Sequence, residues 1–352
     1  MQIGVPKEIK PLEGRVGLVP SACSELVAAG HQVIVEASAG VLSGYSDADY
    51  EAVGARLVGS AAGVYAGSVL IVKVKEPIDA DLALLRSHHI LFSYLHLAAS
   101  PALVEALCKI GLMAIAFETV QDSQGLLPLL APMSDIAGRL SIQIGTQLLH
   151  QPQGGKGLLL GGLPGAERGR VTVIGAGVAG GNAARLAAAL GAEVTVFDRK
   201  RERLEAMRDL GDNVTSLYAY PDSIESAVQQ ADLVVGAVLI PGARAPHVVT
   251  AKQVSAMRPG SVIVDISVDQ GGCIETTRPT DYRSPTYLVD GVVHLAVTNM
   301  PGAVPRSASQ ALSAAVMPYV LQLADGRLDD NPALVQGVNI RAGNVAHPAL
   351  GQ

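Results

Sequence analysis

Val171-Thr-Val-Ile-Gly-Ala-Gly-Val-Ala-Gly180 fixes the architecture of this chain. Its first four residues, all β-branched and mostly apolar, read as a buried strand. Gly175, Gly177 and Gly180 follow at once, with Val178 and Ala179 in the turn between them. A helix from Gly181 to Leu190 ends at Gly191, and a second strand, Glu193–Phe197, ends at Asp198. In a dinucleotide-binding βαβ unit the first glycine permits the tight turn. The second lets backbone approach a pyrophosphate, and the third lets helix lie on strand. The helix N-terminus offers N–H groups and partial positive charge to the phosphates. Asp198 stands where an acid accepts the adenosine ribose hydroxyls. A carboxylate there repels a 2′-phosphate, so NAD is the expected cofactor. Arg199, Lys200 and Arg201 directly after it read as the solvated start of a helix. Strand, glycines, helix, strand and acid occupy 198 − 171 + 1 = 28 residues, which separates the motif from a chance glycine turn.

Outward from this unit the same alternation recurs. Further strands are expected at Asp232–Leu239, Ser261–Ser267 and Val292–Thr298. An earlier series falls at Gln2–Pro6, Gln32–Glu36, Val69–Val74, Ile90–His96 and Met113–Glu118. Helical segments such as Ser21–Ala29 and Pro101–Ile110 lie between, the latter with Pro101 in its first turn and Ser100 as cap. Strands alternating with helices imply parallel sheets and right-handed crossovers. The expected fold is α/β, two doubly wound Rossmann-like domains. Two long helices, Ser134–His150 and Ser307–Ala324 (bent at Pro318), bracket the second series. The dinucleotide domain (129–306) is therefore expected to be inserted into a discontinuous substrate domain (1–128 plus 307–352), with a hinge over a ligand cleft.

Composition narrows the function. The chain has 352 residues, enough for two domains, with 49% apolar and 16% charged residues. Its net charge of −6 and only twelve aromatics (Phe 3, Tyr 9, Trp 0) argue against nucleic acid as partner. Cys23, Cys108 and Cys273 form neither a disulfide framework nor a CxxC, so no metal site is expected. No unbroken apolar run of about 18 residues suggests a membrane span. A cytoplasmic protein with small-molecule partners is the expectation.

Several polar residues close strands of the first series. Lys73 and Lys75 share a face of Val69–Pro77 at period two, and Lys75 lies at the strand's carboxyl end, where open α/β sheets bind ligands. His96 closes the next strand, and Arg15 follows Glu13-Gly14. In the second series Asp265 and Asp269 flank a strand end, and Gly271-Gly272 suggest close approach to a bound group. A cation for a carboxylate, an imidazole and an acid beside a nicotinamide site suit dehydrogenation of a small amino or hydroxy acid.

The chain resembles the alanine dehydrogenase family, which shares its opening with the NAD-binding part of proton-translocating transhydrogenases. The likeness is carried by Gly4-Val-Pro-Lys-Glu8, Glu13-x-Arg15-Val16, Val72-Lys-Val-Lys-Glu-Pro77, Leu95-His-Leu-Ala-Ala-Ser100 and Leu129-Leu-Ala-Pro-Met-Ser134. Ile174-Gly-Ala-Gly177, Val264-Asp-Ile-Ser-Val-Asp-Gln-Gly-Gly272 and Thr298-Asn-Met-Pro-Gly-Ala-Val-Pro-Arg306 extend it. The resemblance implies that Arg15 and Lys75 bind the pyruvate or alanine carboxylate and keto oxygen, and that His96 and Asp269 are the catalytic acid–base groups. It implies that Asn299 and Met300 line the junction of cofactor and substrate, that Ser134 contacts the cofactor, and that Arg203 lies beside the adenosine. Val238, Leu239, Ile266, Ser267, Val268, Asp269, Arg278 and Thr298 then run along the dinucleotide. Gly17, Asp135, Ala219 and Ser307-Ala-Ser309 depart from the family pattern, with an expected effect on affinity rather than reaction type.

The implied reaction is the reversible oxidation of L-alanine to pyruvate and ammonium. Hydride passes to NAD, water adds to the imine, and His96 and Asp269 move protons. A homohexamer is implied by resemblance alone. The main rival is a non-catalytic NAD-binding subunit of the transhydrogenase type, which has no need of Lys75, His96 and Asp269 together. Opine- or saccharopine-type dehydrogenases and a dinucleotide-sensing regulator are further alternatives.

Overall fold

A computed structural model describes residues 1–238 and 245–350. The chain divides into two compact units, Met1–Met133 with Gly302–Gln352 and Ser134–Pro301. The joints expected at 128/129 and 306/307 each fall five residues from these divisions (133 − 128 and 306 − 301).

Unit 1 contains strands β1 (Gln2–Val5), β2 (Gln32–Glu36), β3 (Arg56–Val58), β4 (Leu70–Val72), β5 (Ile90–Ser93) and β6 (Met113–Ala116). These six run parallel in the order β3-β2-β1-β4-β5-β6. Ile3, Val5, Leu70, Ile71, Val72, Leu91 and Phe92 are fully buried. Parallel strands covered on both faces read as such unbroken apolar runs. β3 was not anticipated, because Arg56-Leu57-Val58 is too short to show a period.

Unit 2 carries β7 (Arg170–Ile174), β8 (Glu193–Asp198), β9 (Val214–Tyr218), β10 (Leu233–Gly236), β11 (Val262–Asp265), β12 (Thr286–Val289) and β13 (Val292–Leu295). The parallel order is β9-β8-β7-β10-β11-β13, with β12 antiparallel on the edge. Back in unit 1, β14 (Val338–Arg341) pairs antiparallel with β6, and β15 (Asn344–Val345) with β14. The expectation of parallel sheets thus needs an antiparallel edge added to each. β12–β13 and β14–β15 are joined by Asp290-Gly291 (φ 50° and 79°) and Ala342-Gly343 (φ 49° and 80°). Positive φ at both central residues is what the type I′ two-residue hairpin turn requires.

Each unit therefore reverses strand order at one place, between β1 and β4 and between β7 and β10. Open α/β sheets bind ligands beyond the carboxyl ends of the strands at such points. The strands are shorter there than the sequence suggests. β5 stops at Ser93, β10 at Gly236, β11 at Asp265 and β13 at Leu295, so the polar residues expected at strand ends lie in the turns just beyond.

The helices begin and end for local reasons. Pro101–Ile110 has Pro101 in its first turn and left-handed Gly111 (φ 82°) after its end. Ser100 occupies the N-cap, but its side chain makes no capping bond; its carbonyl accepts the Leu103 and Val104 N–H groups instead. The glycine helix starts at Val178, three residues before the expected Gly181, and runs to Ala189. The long helices span Ala131–Leu148 and Pro305–Ala324, the second continuing through Pro318.

Candidate functional site

At the carboxyl end of the unit 1 sheet four carboxylates organise the turns. Glu8, just past β1, accepts the Val74 N–H at 2.6 Å and the Lys75 N–H at 3.4 Å, so it holds the turn that presents Lys75. Burial pushes the Glu8 carboxyl up, with Lys73 opposing. Lys73 is 1% exposed and lies 3.4 Å from both Glu8 and Asp81, while Tyr65 donates its hydroxyl to Asp81 at 2.8 Å. Lys73 is thus a buried structural cation, whereas Lys75, on the same period, is half-buried in the turn.

Arg15 is 2% exposed. Its Nε and Nη2 donate to the two Glu13 oxygens at 2.6 and 2.5 Å, and its Nη1 lies 3.1 Å from Met133 Sδ. Burial alone would raise the Glu13 carboxyl, but the Arg15 bonds, helped by Lys75, hold it below the usual carboxylate range. The loop carrying Arg15 is bolted at several points. Ser43 donates to the Gly14 carbonyl at 2.8 Å and lies 2.8 Å from the Ser309 hydroxyl, which accepts the Val16 N–H at 3.0 Å. Tyr50 donates to the Leu18 carbonyl, and Ser313 accepts the Val19 N–H. A Cβ at Gly17 would meet the Val72 carbonyl oxygen at 2.8 Å. Two of the departures from the family pattern, Gly17 and Ser309, therefore support this loop.

His96 is exposed and left-handed (φ 49°, ψ 37°). A non-glycine residue in that region marks an over-determined turn. Glu118, just past β6, supplies the determination by accepting the Leu95 N–H at 3.1 Å and the His96 N–H at 2.5 Å. The Tyr94 ring lies parallel to the imidazole at 6.0 Å, and its hydroxyl donates to the Leu129 carbonyl at 2.6 Å. Burial raises the Tyr94 phenol and keeps it protonated. Glu8, Glu13 and Glu118 were not singled out from the sequence as site residues.

In unit 2 the glycine turn has the required shape. Gly175 has φ 99°, and a Cβ there would meet the Ala237 carbonyl oxygen at 2.5 Å. A Cβ at Gly180 would stand 1.7 Å from the Gly175 carbonyl oxygen. Asp198 Oδ2 accepts the Ala176 N–H at 2.8 Å and Oδ1 the Lys200 N–H at 2.9 Å, and Arg203 lies 3.4 Å from Oδ2. Turn, acid and Arg203 are thus one construction. Val238 follows β10 beside Gly175, and Leu239 lies outside the described residues. Ser134 precedes Asp135, whose carboxylate accepts from Asn182 at 2.7 Å. This bond ties the start of helix Ala131–Leu148 to helix Val178–Ala189, and Gly138 lets them meet, since a Cβ there would be 2.1 Å from the Ala179 carbonyl oxygen.

Beyond β11 the two aspartates part company. Asp265 is buried and accepts from the Ser267, Cys273 and Ile274 N–H groups and the Thr277 hydroxyl, at 2.9, 3.0, 3.3 and 2.7 Å. Gly272 makes room for it, since a Cβ there would meet Asp265 Oδ2 at 2.9 Å. At Gly272 the chain's own aspartate makes a close approach. Asp265 folds the turn of Ile266, Ser267 and Val268 that presents Asp269, which is exposed. The Asn299 N–H reaches Asp269 Oδ2 at 3.4 Å, and Asn299 is left-handed (φ 63°). Thr298 N–H bonds the Thr280 carbonyl, and the Met300 carbonyl accepts from Tyr282. Arg278 is exposed, its guanidinium 4.2 Å above the Tyr287 ring.

The unit 2 residues suit a dinucleotide. Gly175 and Gly180 let the turn close on the chain's own backbone, Gly177 is uncrowded, a helix of 12 residues starts there, and the acid stands at the end of the second strand.

Comparison with known proteins follows this geometry. Residues 4–137 match the family model "Alanine dehydrogenase/PNT, N-terminal domain", and 141–348 match "Alanine dehydrogenase/PNT, C-terminal domain". The alanine dehydrogenase of Halomonas elongata is 49% identical, with 100% of this chain and 96% of that protein covered. That of Bacillus subtilis is 48% identical, with 99% and 94% covered. A solved L-alanine dehydrogenase superposes with a TM-score of 0.97 at 51% identity, covering 100% of this chain and 98% of that one. A transhydrogenase from Sinorhizobium meliloti superposes at 0.86 with 26% identity, covering 99% and 100%.

Proposed function

The chain belongs to the alanine dehydrogenase/PNT family, and from that premise we propose that it catalyses the reversible NAD-dependent oxidative deamination of L-alanine to pyruvate and ammonium. The observation that carries this reading is end-to-end likeness to alanine dehydrogenases at 49% identity, against 26% for the transhydrogenase.

When bound, NAD supplies the acceptor for the substrate's Cα hydride. The glycine turn and the start of helix Val178–Ala189 hold its pyrophosphate through backbone N–H groups, and Asp198 accepts the ribose hydroxyls with Arg203 beside it. Arg15 and Lys75 hold the substrate carboxylate and keto oxygen; a planar guanidinium suits a carboxylate better than an ammonium does. His96 and Asp269 hold and move the protons of water, amine and hydroxyl. Asn299, tied to Asp269 through its backbone N–H, holds the substrate side of the nicotinamide site, with Met300 and Thr298 next to it. Ser134, Val238, Ile266, Ser267, Val268 and Arg278 complete the cofactor's contacts.

The test is NADH consumption with pyruvate and ammonium. Turnover that needs both and falls steeply with NADPH is expected. Tight NADH binding without turnover would replace this reading with a transhydrogenase-type cofactor carrier. Among the described residues no helix is long and apolar enough to cross a membrane. Hexameric assembly and a cytoplasmic location belong to the proposal, and light scattering that finds another subunit number would remove the first.

A further inference from the structure

We propose that Asn339, on β14, is a positioning residue for His96: it pins Thr119, and with it the turn whose Glu118 carboxylate holds the His96 backbone. The proposal rests on the reading of His96 as an acid–base group. β14 does not pair evenly with β6. Val338 lies opposite Ile115 and Ile340 opposite Ala114, so two steps of β14 match one of β6 and Asn339 is the extra residue. Such a bulge re-aims a side chain. Asn339 is 2% exposed, and its Nδ2 donates to the Thr119 hydroxyl at 2.6 Å and to the Gly337 carbonyl at 2.9 Å. The Thr119 hydroxyl lies 3.2 Å from the Ala116 carbonyl and 3.3 Å from that of Gly337. Its single proton goes to one of these, and Asn339 supplies the bond it accepts. Gly337 permits the approach, since a Cβ there would meet Val120 Cγ2 at 2.7 Å.

Phe117–Thr119 is a single turn with Glu118 at its middle. Phe117 is fully buried, edge-on to Phe92 and Tyr94 with centroids at 4.5 and 5.0 Å, so that end is fixed by packing. Thr119 is the end that Asn339 pins. The same segment reaches the far side of His96. The Asn339 carbonyl accepts the Ala346 N–H at 2.8 Å and the His347 N–H at 3.4 Å. Beyond them Pro348–Leu350 lies against Leu97–Ala99, directly after His96, and Leu350 packs on the cluster that contains Leu95 and Leu97. Glu118 is near enough to draw the His347 pKa upward against the effect of burial. A left-handed histidine persists only where its surroundings over-determine it. A strand added only to cover β6 has no use for a bulge that turns a buried amide onto Thr119.

Steady-state rates with pyruvate, ammonium and NADH, taken well below the unfolding temperature, test this. Asn339→Ala and Thr119→Val, which removes the hydroxyl and keeps the shape, are each expected to lower kcat about tenfold, the scale of one buried hydrogen bond. The pyruvate KM and the NADH dissociation constant should stay within about twofold of wild type. Thr119→Ser, which keeps the hydroxyl, should retain the wild-type kcat, and the double variant should lose no more than either single one. Unchanged kcat in folded Thr119→Val overturns the proposal even if Asn339→Ala does not fold. So does a loss that Thr119→Ser shares, or one matched by equal losses in pyruvate KM and NADH affinity, which marks general damage. A large loss in His96→Ala beside wild-type rates in Thr119→Val counts against Asn339 and Thr119 alone. Rates near wild type in His96→Ala, or no turnover by the wild type, remove the acid–base reading and the proposal with it.

Discussion

His96 is held through its backbone N–H, with the Tyr94 ring beside the imidazole. The left-handed turn, fastened by Glu118 to two consecutive N–H groups, fixes where the ring starts while leaving the ring itself exposed. A group placed this way can exchange protons with a substrate. His96→Ala is therefore expected to lower kcat by about 10²–10⁴ while leaving the NADH dissociation constant nearly unchanged. Rates near wild type would remove His96 from the acid–base role. At this scale the sequence was only partly readable. His96 and Lys75 stand out because cations and imidazoles are rare in apolar runs. Glu8 acts on Val74, 66 residues away, and Glu118 on Leu95, 23 residues back, so nothing local announces either. Glu13 is two residues from its partner, yet such a pair in a loop looks like solvated surface until its burial is seen. Asp265 and Asp269 look alike in sequence and differ only because one turn buries the first and exposes the second.

Helix Pro305–Ala324 shows how an element far along the chain shapes a loop at its start. Ser309 and Ser313 receive the N–H groups of Val16 and Val19 at 3.0 Å each, in fully buried surroundings. Ser309→Ala leaves the Val16 N–H without its acceptor, a loss of about 1–3 kcal/mol for a buried donor. The expected readout is a raised pyruvate KM with little change in NADH affinity, restored by Ser309→Thr; an unchanged KM would mean that the loop does not need this bond. Strand β13 carries a second device. His294 is fully buried, between the Val292 carbonyl at 3.0 Å and the Thr276 hydroxyl at 2.8 Å. Burial holds its pKa below the usual value, against the raising effect of the Val292 carbonyl and Asp290. The unfolded chain binds the extra proton at about pH 6.5, so stability present above that value is lost as pH falls. Thermal unfolding should shift downward between about pH 7.5 and 5.5, and less so in His294→Gln. His89 and His347 share the direction, so part of the slope remains. Identical slopes in the two proteins would rule His294 out. Elements with a long apolar period were legible from sequence. The hairpin β12–β13 was not, although Asp290-Gly291 is a hairpin signal, because β12 is an edge strand with a mixed pattern.

For the whole molecule, the proposed function divides the labour of binding between the two units. Lys75→Ala should raise the pyruvate KM and lower kcat without altering NADH affinity, whereas a matching loss of NADH affinity would contradict that division. In the sequence the glycine motif and two long helices mark the inserted segment, and the chain divides five residues from each expected joint. Doubly wound sheets were expected in both units; the place of β3 in the unit 1 sheet was not, since β3 is too short to read. Discontinuity also bears on biosynthesis. Residues 134–301 leave the ribosome as one uninterrupted stretch and hold all their strand partners. The amino-terminal half must wait for β14 to cover β6 and for the Ser309 helix to brace the Arg15 loop. Folding in the order of emergence would therefore finish unit 2, the cofactor's half on the proposed reading, before unit 1. If the proposed function holds, a nascent chain whose residues up to 301 have emerged is expected to hold nucleotide and be blind to pyruvate.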